Sequence, residues 1–269
     1  MSKRIKPCLP TAEEMWECLE RDGYVVIENV VSPEDCDRLH SLWWDFLEEV
    51  NPLISRVDSR TWSGEFIPQN TRGLFQNHNV GFAAHAILAR MLMKPVFEVL
   101  YGTEELLTSF DGTSWTRKPY NHTYKNLKDW NEKKWEKNAV HIDQTTRGLS
   151  SIQGGLAVLD QEEDSHCFLC MPGGHLYHDE IMKTKKDKKK DWLVLNDEIK
   201  AFLREQGLDL KRIVQKNRGS VVLWDSRLPH ASAPHCKTSN PNVCRLQIFA
   251  CMRPVDPKTY EREMIMHQK

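Results

Sequence analysis

"KNAVHIDQTTRG", residues 137–148, places a histidine and an aspartate two positions apart where the chain turns from helical to β-rich patterning. Side chains two apart on a strand share a face, so His141 and Asp143 reach one point while Ile142 turns the other way. An imidazole and a carboxylate converging like this are two of the three protein ligands in the two-histidine, one-carboxylate triad of non-haem Fe(II). The third must come from another strand. "GSVVLWDSRLPHAS", residues 219–232, carries His230 at the end of an apolar run, where an imidazole has little use unless it is paired or ligating.

Further strands follow the same pattern. "IQGGLAVLD", "CFLCMPGGH" and "CRLQIFACMRP" are each bounded by Gly, Pro, Asn or Asp. In the last, alternation sets Arg245, Gln247, Phe249 and Cys251 on one face and Leu246, Ile248 and Ala250 on the other. An arginine opening such a strand either reaches solvent or needs an anion, and a bidentate guanidinium suits the distal carboxylate of 2-oxoglutarate.

Ahead of these strands the chain reads helix, strand, helix. "TAEEMWECLERD", residues 11–22, has Thr11 as N-cap and Met15, Trp16 and Leu19 at helical spacing. "GYVVIENVV" is a β-branched run. "SPEDCDRLHSLWWDFLEEV" then opens with Ser32 as cap and Pro33 at the first helical position, with Leu39, Leu42, Trp43, Phe46 and Leu47 on one face. Residues 51–80 read as a long irregular connection, and "GFAAHAILARMLMKPVFEVLYG" as a helix with a break near Pro95. Residues 106–135 read as loops and short strands, and 178–213 as a charged helical insert beginning with "KTKKDKKKD".

The bulk properties set bounds. With 269 residues and 40% hydrophobic content the chain can bury a sizeable core. Its 37 Lys plus Arg against 38 Asp plus Glu give no overall pull toward nucleic acid or acidic membranes. No secretory signal or membrane-spanning run is visible, which points to a soluble intracellular protein, cytoplasmic or nuclear, with its 8 cysteines reduced. The Cys167-x-x-Cys170 spacing puts the two sulfurs on opposite faces of a strand, as buried thiols rather than half of a zinc site. His166, His175, His178 and His235 read as turn or surface residues, and the lysine run as a solvated loop.

"HID", "MPGGH" and "GSVVLWDSRLPHAS" followed by "CRLQIFACMRP", behind the prologue "MWECLERDGYVVIENVVSPEDCDRL", resemble the phytanoyl-CoA dioxygenase family of Fe(II)- and 2-oxoglutarate-dependent oxygenases over most of the chain. The resemblance implies His141, Asp143 and His230 as iron ligands and Arg245 as the 2-oxoglutarate anchor, with Ser232 beside it and Asn138 at the co-substrate's other end. It implies a dioxygenase that uses O2 to hydroxylate a small molecule while 2-oxoglutarate becomes succinate and CO2. Because Asp143 keeps the carboxylate that halogenating relatives lack, hydroxylation, desaturation or ring closure is implied rather than halogenation.

The implied fold is mainly β with α: a double-stranded β-helix, or cupin-like jelly roll, over about 138–254, with N-terminal helical support over about 11–135. All of it forms a single domain, 1–269. "FDGTSWTRKPYNHTYKNLKDW" and "FIPQNTRGLFQNHN" are expected to line the mouth, with Trp115, Tyr120 and Tyr124 as substrate candidates alongside Gln153 and Arg227. Arg227, at an odd offset from His230, faces the other way unless a bulge at Pro229 intervenes. Two departures from the family pattern stand out. Gly174 replaces the usual serine of the Pro-Gly-Ser-His turn, and "PHCKTSNPN" enlarges the loop before Arg245, where a one-residue slip would turn that side chain outward. Two rival classes remain: a silent barrel that only binds or senses, and an oxygenase of nucleic acid or protein side chains.

Overall fold

The computed structural model describes residues 9–62, 73–117, 140–184, 191–234, 236 and 244–255. Three helices lead: α1 (Ala12–Asp22), α2 (Pro33–Val50) and α3 (Ala84–Tyr101). Thr11 caps α1 in a full capping box with Glu14, and Ser32 caps α2 ahead of Pro33, as the sequence predicts. The expected break in α3 is absent. The helix runs straight through Pro95, which lies on its exposed side along with Met91, so water can satisfy the carbonyl that proline leaves without a donor.

Among the described residues twelve strands follow the helices or lie between them: β1 (Tyr24–Ile27), β2 (Leu74–Phe75), β3 (Leu106–Thr108), β4 (Thr113–Arg117), β5 (His141–Ile142), β6 (Ile152–Ala157), β7 (Cys167–Cys170), β8 (Leu193–Val194), β9 (Lys211–Ile213), β10 (Val221–Asp225), β11 (His230–Ala233) and β12 (Cys244–Pro254). They make two antiparallel sheets. A 7-stranded sheet runs β1-β10-β6-β12-β4-β2 with β3 also on β12, and a 5-stranded sheet runs β8-β5-β11-β7-β9.

This corrects the expected jelly roll. Among the described residues the two sheets share no ladder and each ends in open edges, β1 and β2 on one and β8 and β9 on the other, so the strands are not closed into a barrel and the fold is mixed α/β with two sheets. Three local features account for the difference. The 219–232 stretch is two strands rather than one: the chain turns after Asp225, with Leu228 N–H on the Asp225 carbonyl at 2.9 Å, and Pro229 offers no ladder donor, so β10 joins one sheet and β11 the other. The N-terminal part is not only a helical buttress, since β1 to β4 all pair within the large sheet. The 178–213 insert is not only helical either: besides α4 (His178–Lys183) and α5 (Asp197–Glu205) it supplies β8 and β9, both edges of the small sheet.

Alternation divides the core into layers. Leu156, Leu223, Leu246 and Ile248 face α1 to α3, meeting Leu19, Trp43, Met93 and Phe97. Ile142, Cys167, Leu169, Ala231 and Ala233 face α4 and α5. Between the sheets lie Val222, Trp224 and Phe249 from the large one and Phe168 and Cys170 from the small one. Cys167 and Cys170 thus fall on opposite faces, and the cysteines among the described residues are free thiols. The gap between the sheets holds the candidate site.

Candidate metal centre

His141 opens β5 and His230 opens β11, and the two residues are direct cross-strand partners. Their rings lie 4.4 Å apart between centroids. Asp143, one residue past β5, takes its place through its backbone N–H on the Ser226 carbonyl at 3.2 Å. Its Oδ1 lies 3.4 Å from His141 Nε2 and its Oδ2 lies 3.5 Å from His230 Nε2. Donor atoms from the three residues all fall within 4.8 Å of one another, as a single small cation requires.

The surrounding bonds aim these donors. His230 Nδ1 lies 2.9 Å from the Leu228 carbonyl, which can only accept, so Nδ1 carries a hydrogen and the ring is held with Nε2 toward Asp143. The Gln153 amide donates to Asp143 Oδ2 at 2.9 Å. Burial pushes the Asp143 carboxyl up, but the bond and charge of His230, the charge of His141 and the Gln153 amide together hold it below the usual carboxylate range.

The same residues border a cavity of about 330 Å³. Ser232 and Arg245 line it further along, and Leu74, Phe168, Trp224 and Phe249 give it an apolar wall. Arg245 is 1% exposed. The register Arg245 to Thr116 and Gln247 to Ser114 keeps it inward, so the enlarged loop before β12 causes no slip. Its Nη1 reaches Ser114 Oγ at 3.0 Å, His166 Nδ1 at 3.2 Å and Ser232 Oγ at 3.4 Å, and its Nη2 donates to Gln247 Oε1. Gln247 is steadied in turn by Gln215, at 3.0 Å. No carboxylate among the described residues pairs with this guanidinium, its Nε has no partner, and burial lowers its pKa to about 10.

The other candidates divide. Gln153 borders the cavity but is committed to Asp143. Trp115 does not reach the cavity: it is 1% exposed and packs edge-on to Trp44 and Trp62 on the far face of the sheet, because its register partner Leu246 points that way. Arg227 is not among the lining residues and pairs with Asp225 at 2.6 Å. Asn138, Tyr120 and Tyr124 lie outside the described residues, as does the lysine run beyond Thr184. His175 and His178, read as turn or surface residues, are buried and bonded to the carbonyls of Glu20 and Gln144. His166, also read as a turn or surface residue, is buried just behind the cavity against Arg245, and Asp111, which no sequence signal marks, lines the cavity.

The sequence of residues 19–239 matches the family model described as "Phytanoyl-CoA dioxygenase (PhyH)". The chain belongs to the phytanoyl-CoA dioxygenase family. It is therefore an enzyme, an iron- and 2-oxoglutarate-dependent oxygenase acting on a small molecule. A family relative from Dictyostelium discoideum, itself named for phytanoyl-CoA dioxygenase, is 25% identical over 273 residues, covering 87% of this chain and 74% of the relative. Among solved structures, EctD from S. alaskensis with 2-oxoglutarate and 5-hydroxyectoine is 17% identical with a TM-score of 0.55, over 95% of this chain and 79% of that one. The non-heme alpha ketoglutarate dependent carbocyclase SnoK from nogalamycin biosynthesis is 16% identical at a TM-score of 0.55, over 92% and 87%. Likeness at that identity speaks for the fold. Among the described residues no helix is long and apolar enough to cross a membrane.

Proposed function

We propose that His141, Asp143 and His230 hold one Fe(II) ion, that Arg245 with Ser232 anchors the distal carboxylate of 2-oxoglutarate, and that the chain uses O2 to hydroxylate a small-molecule substrate. One observation carries the assignment. A fully buried guanidinium with no carboxylate partner among the described residues stands in the wall of the same cavity whose other donors converge on a cation site, so the cavity offers an anion anchor and a metal anchor together. When bound, the ion, co-substrate and oxygen supply the oxidising power, with 2-oxoglutarate leaving as succinate and CO2.

The protein's own part is placement. The Leu228 carbonyl fixes the His230 ring, Gln153 and the Ser226 carbonyl fix Asp143, and Ser114, Ser232 and Gln247 fix the Arg245 fork, so no donor has to reorganise when its ligand arrives. Phe168, Trp224, Phe249 and Leu74 keep water from the reacting C–H bond. Residues 1–269 work as one oxygenase domain in this reading. The test is succinate formation with Fe(II), 2-oxoglutarate and air, without added substrate. Slow turnover in the wild type that vanishes in Asp143→Ala is expected; no succinate above a protein-free control refutes the proposal.

A further inference from the structure

The cavity holds a second acidic side chain that the metal site does not use. Asp111 lies in the short excursion between β3 and β4, where the chain leaves the edge of β12 and returns to it. That excursion is rigidly stapled. Ser109 N–H donates to the Cys251 carbonyl at 2.9 Å, Cys251 N–H to Ser109 Oγ at 2.9 Å, and Phe249 N–H to the Gly112 carbonyl at 3.2 Å. Gly112 is required there, because a Cβ would come within 2.3 Å of the Phe75 carbonyl oxygen. The result is a carboxyl held in the cavity wall by the Ser109 hydroxyl, with no Lys, Arg or His among the described residues within ion-pair distance of it. Arg90 acts on Asp111 only at longer range. Its guanidinium stacks over Phe110, 5.1 Å from the ring centre, and it is not a lining residue.

We infer that the substrate carries a cationic nitrogen, an ammonium group or its equivalent, and that Asp111 is the residue that receives it. The inference rests on the proposed function and deepens it. In the loaded site the two charges of Fe(II) and the one on Arg245 balance Asp143 and the two carboxylates of 2-oxoglutarate, so among the described lining residues Asp111 is the one charge left without an ion-pair partner. A half-buried carboxylate of that kind calls for a cation at hydrogen-bond distance. Burial and the neighbouring Asp143 push the Asp111 carboxyl up, against the Ser109 bond and the Cys251 N–H, and an arriving ammonium group relieves that cost. The apolar wall of Leu74, Phe168, Trp224 and Phe249 suits the hydrocarbon part of the same molecule.

The test uses full-length protein with Mn(II) and 2-oxoglutarate, and measures the paramagnetic relaxation of pentylamine, pentan-1-ol and pentanoate. Wild type is expected to bind pentylamine at least tenfold more tightly than pentan-1-ol, with pentanoate weakest, and Asp111→Asn to bind amine and alcohol alike. An amine no tighter than the alcohol in wild type, or a preference that survives in Asp111→Asn, overturns the inference. Binding of Mn(II) and 2-oxoglutarate is measured in parallel. If neither binds, the proposed function falls, and the amine preference is then read by diamagnetic line broadening, which still decides the role of Asp111.

Discussion

Replacing Arg245 by Met separates anion binding from metal binding. The guanidinium is buried at 1% exposure and is held by Ser114, His166, Ser232 and Gln247, none of which is a carboxylate. Among the described residues it has no ionic partner, so a co-substrate carboxylate would supply one to a guanidinium that is itself buried from water. Breaking a buried pair of this kind costs about 3–5 kcal/mol, so 2-oxoglutarate affinity should fall by about two to three and a half orders of magnitude at about 1.4 kcal/mol per decade. Stability without co-substrate should change little, because Met removes an unpaired buried charge, whose pKa burial lowers to about 10, together with the bonds that hold it. The assay is calorimetric titration of the Mn(II)-loaded protein with 2-oxoglutarate. Affinity within threefold of wild type in Arg245→Met would refute the anchor and with it the dicarboxylate part of the reading.

Three further outcomes are expected. Gln153→Leu removes the amide on Asp143 Oδ2 and should weaken metal binding by about 10- to 100-fold, read by competition with a chromogenic chelator. Gly155→Ala builds a Cβ 2.2 Å from Gln247 Nε2, displacing the side chain that braces Arg245; it should cost about 1–3 kcal/mol in urea unfolding and weaken 2-oxoglutarate binding while sparing the metal. His85 is buried against Trp43 and bonded to Thr113, and burial, with a smaller push from Arg90, lowers its pKa from 6.5 to about 4. As pH falls from 6.5 to about 4 the unfolded chain takes up a proton that the folded one refuses, so stability is lost across that window, by about 3 kcal/mol from this group. His85→Gln should show a correspondingly shallower acid limb in the difference between the two unfolding profiles.

How much of this was legible depends on how local each signal is. The convergence of His141 and Asp143 follows the two-residue period of a strand even though β5 ends at Ile142 and the Ser226 carbonyl holds Asp143 in place, and the inward Arg245 follows the alternation of β12, so both are readable. Trp115 was misplaced because the face of a strand is known only with its partner: the pairing of Ser114 with Gln247 and Trp115 with Leu246 sends the serine to the cavity and the indole to the helices. Parity along a strand says nothing about Arg227, because the strand ends at Asp225 and a turn follows. Asp111 lies in an irregular excursion where no period assigns a direction, so only the folded chain reveals it. The jelly-roll expectation failed for a related reason. Strand pattern counts strands but does not say which edges join, and here the large sheet draws four of its members from residues ahead of 118.

The central claim is that three side chains, two on neighbouring strands and one just past the first of them, share one ion. Anomalous diffraction from crystals grown with Mn(II) tests it most directly. A single strong peak within bonding distance of His141 Nε2, an Asp143 carboxylate oxygen and His230 Nε2 is the result expected. A peak elsewhere in the molecule with none between those three residues would contradict it.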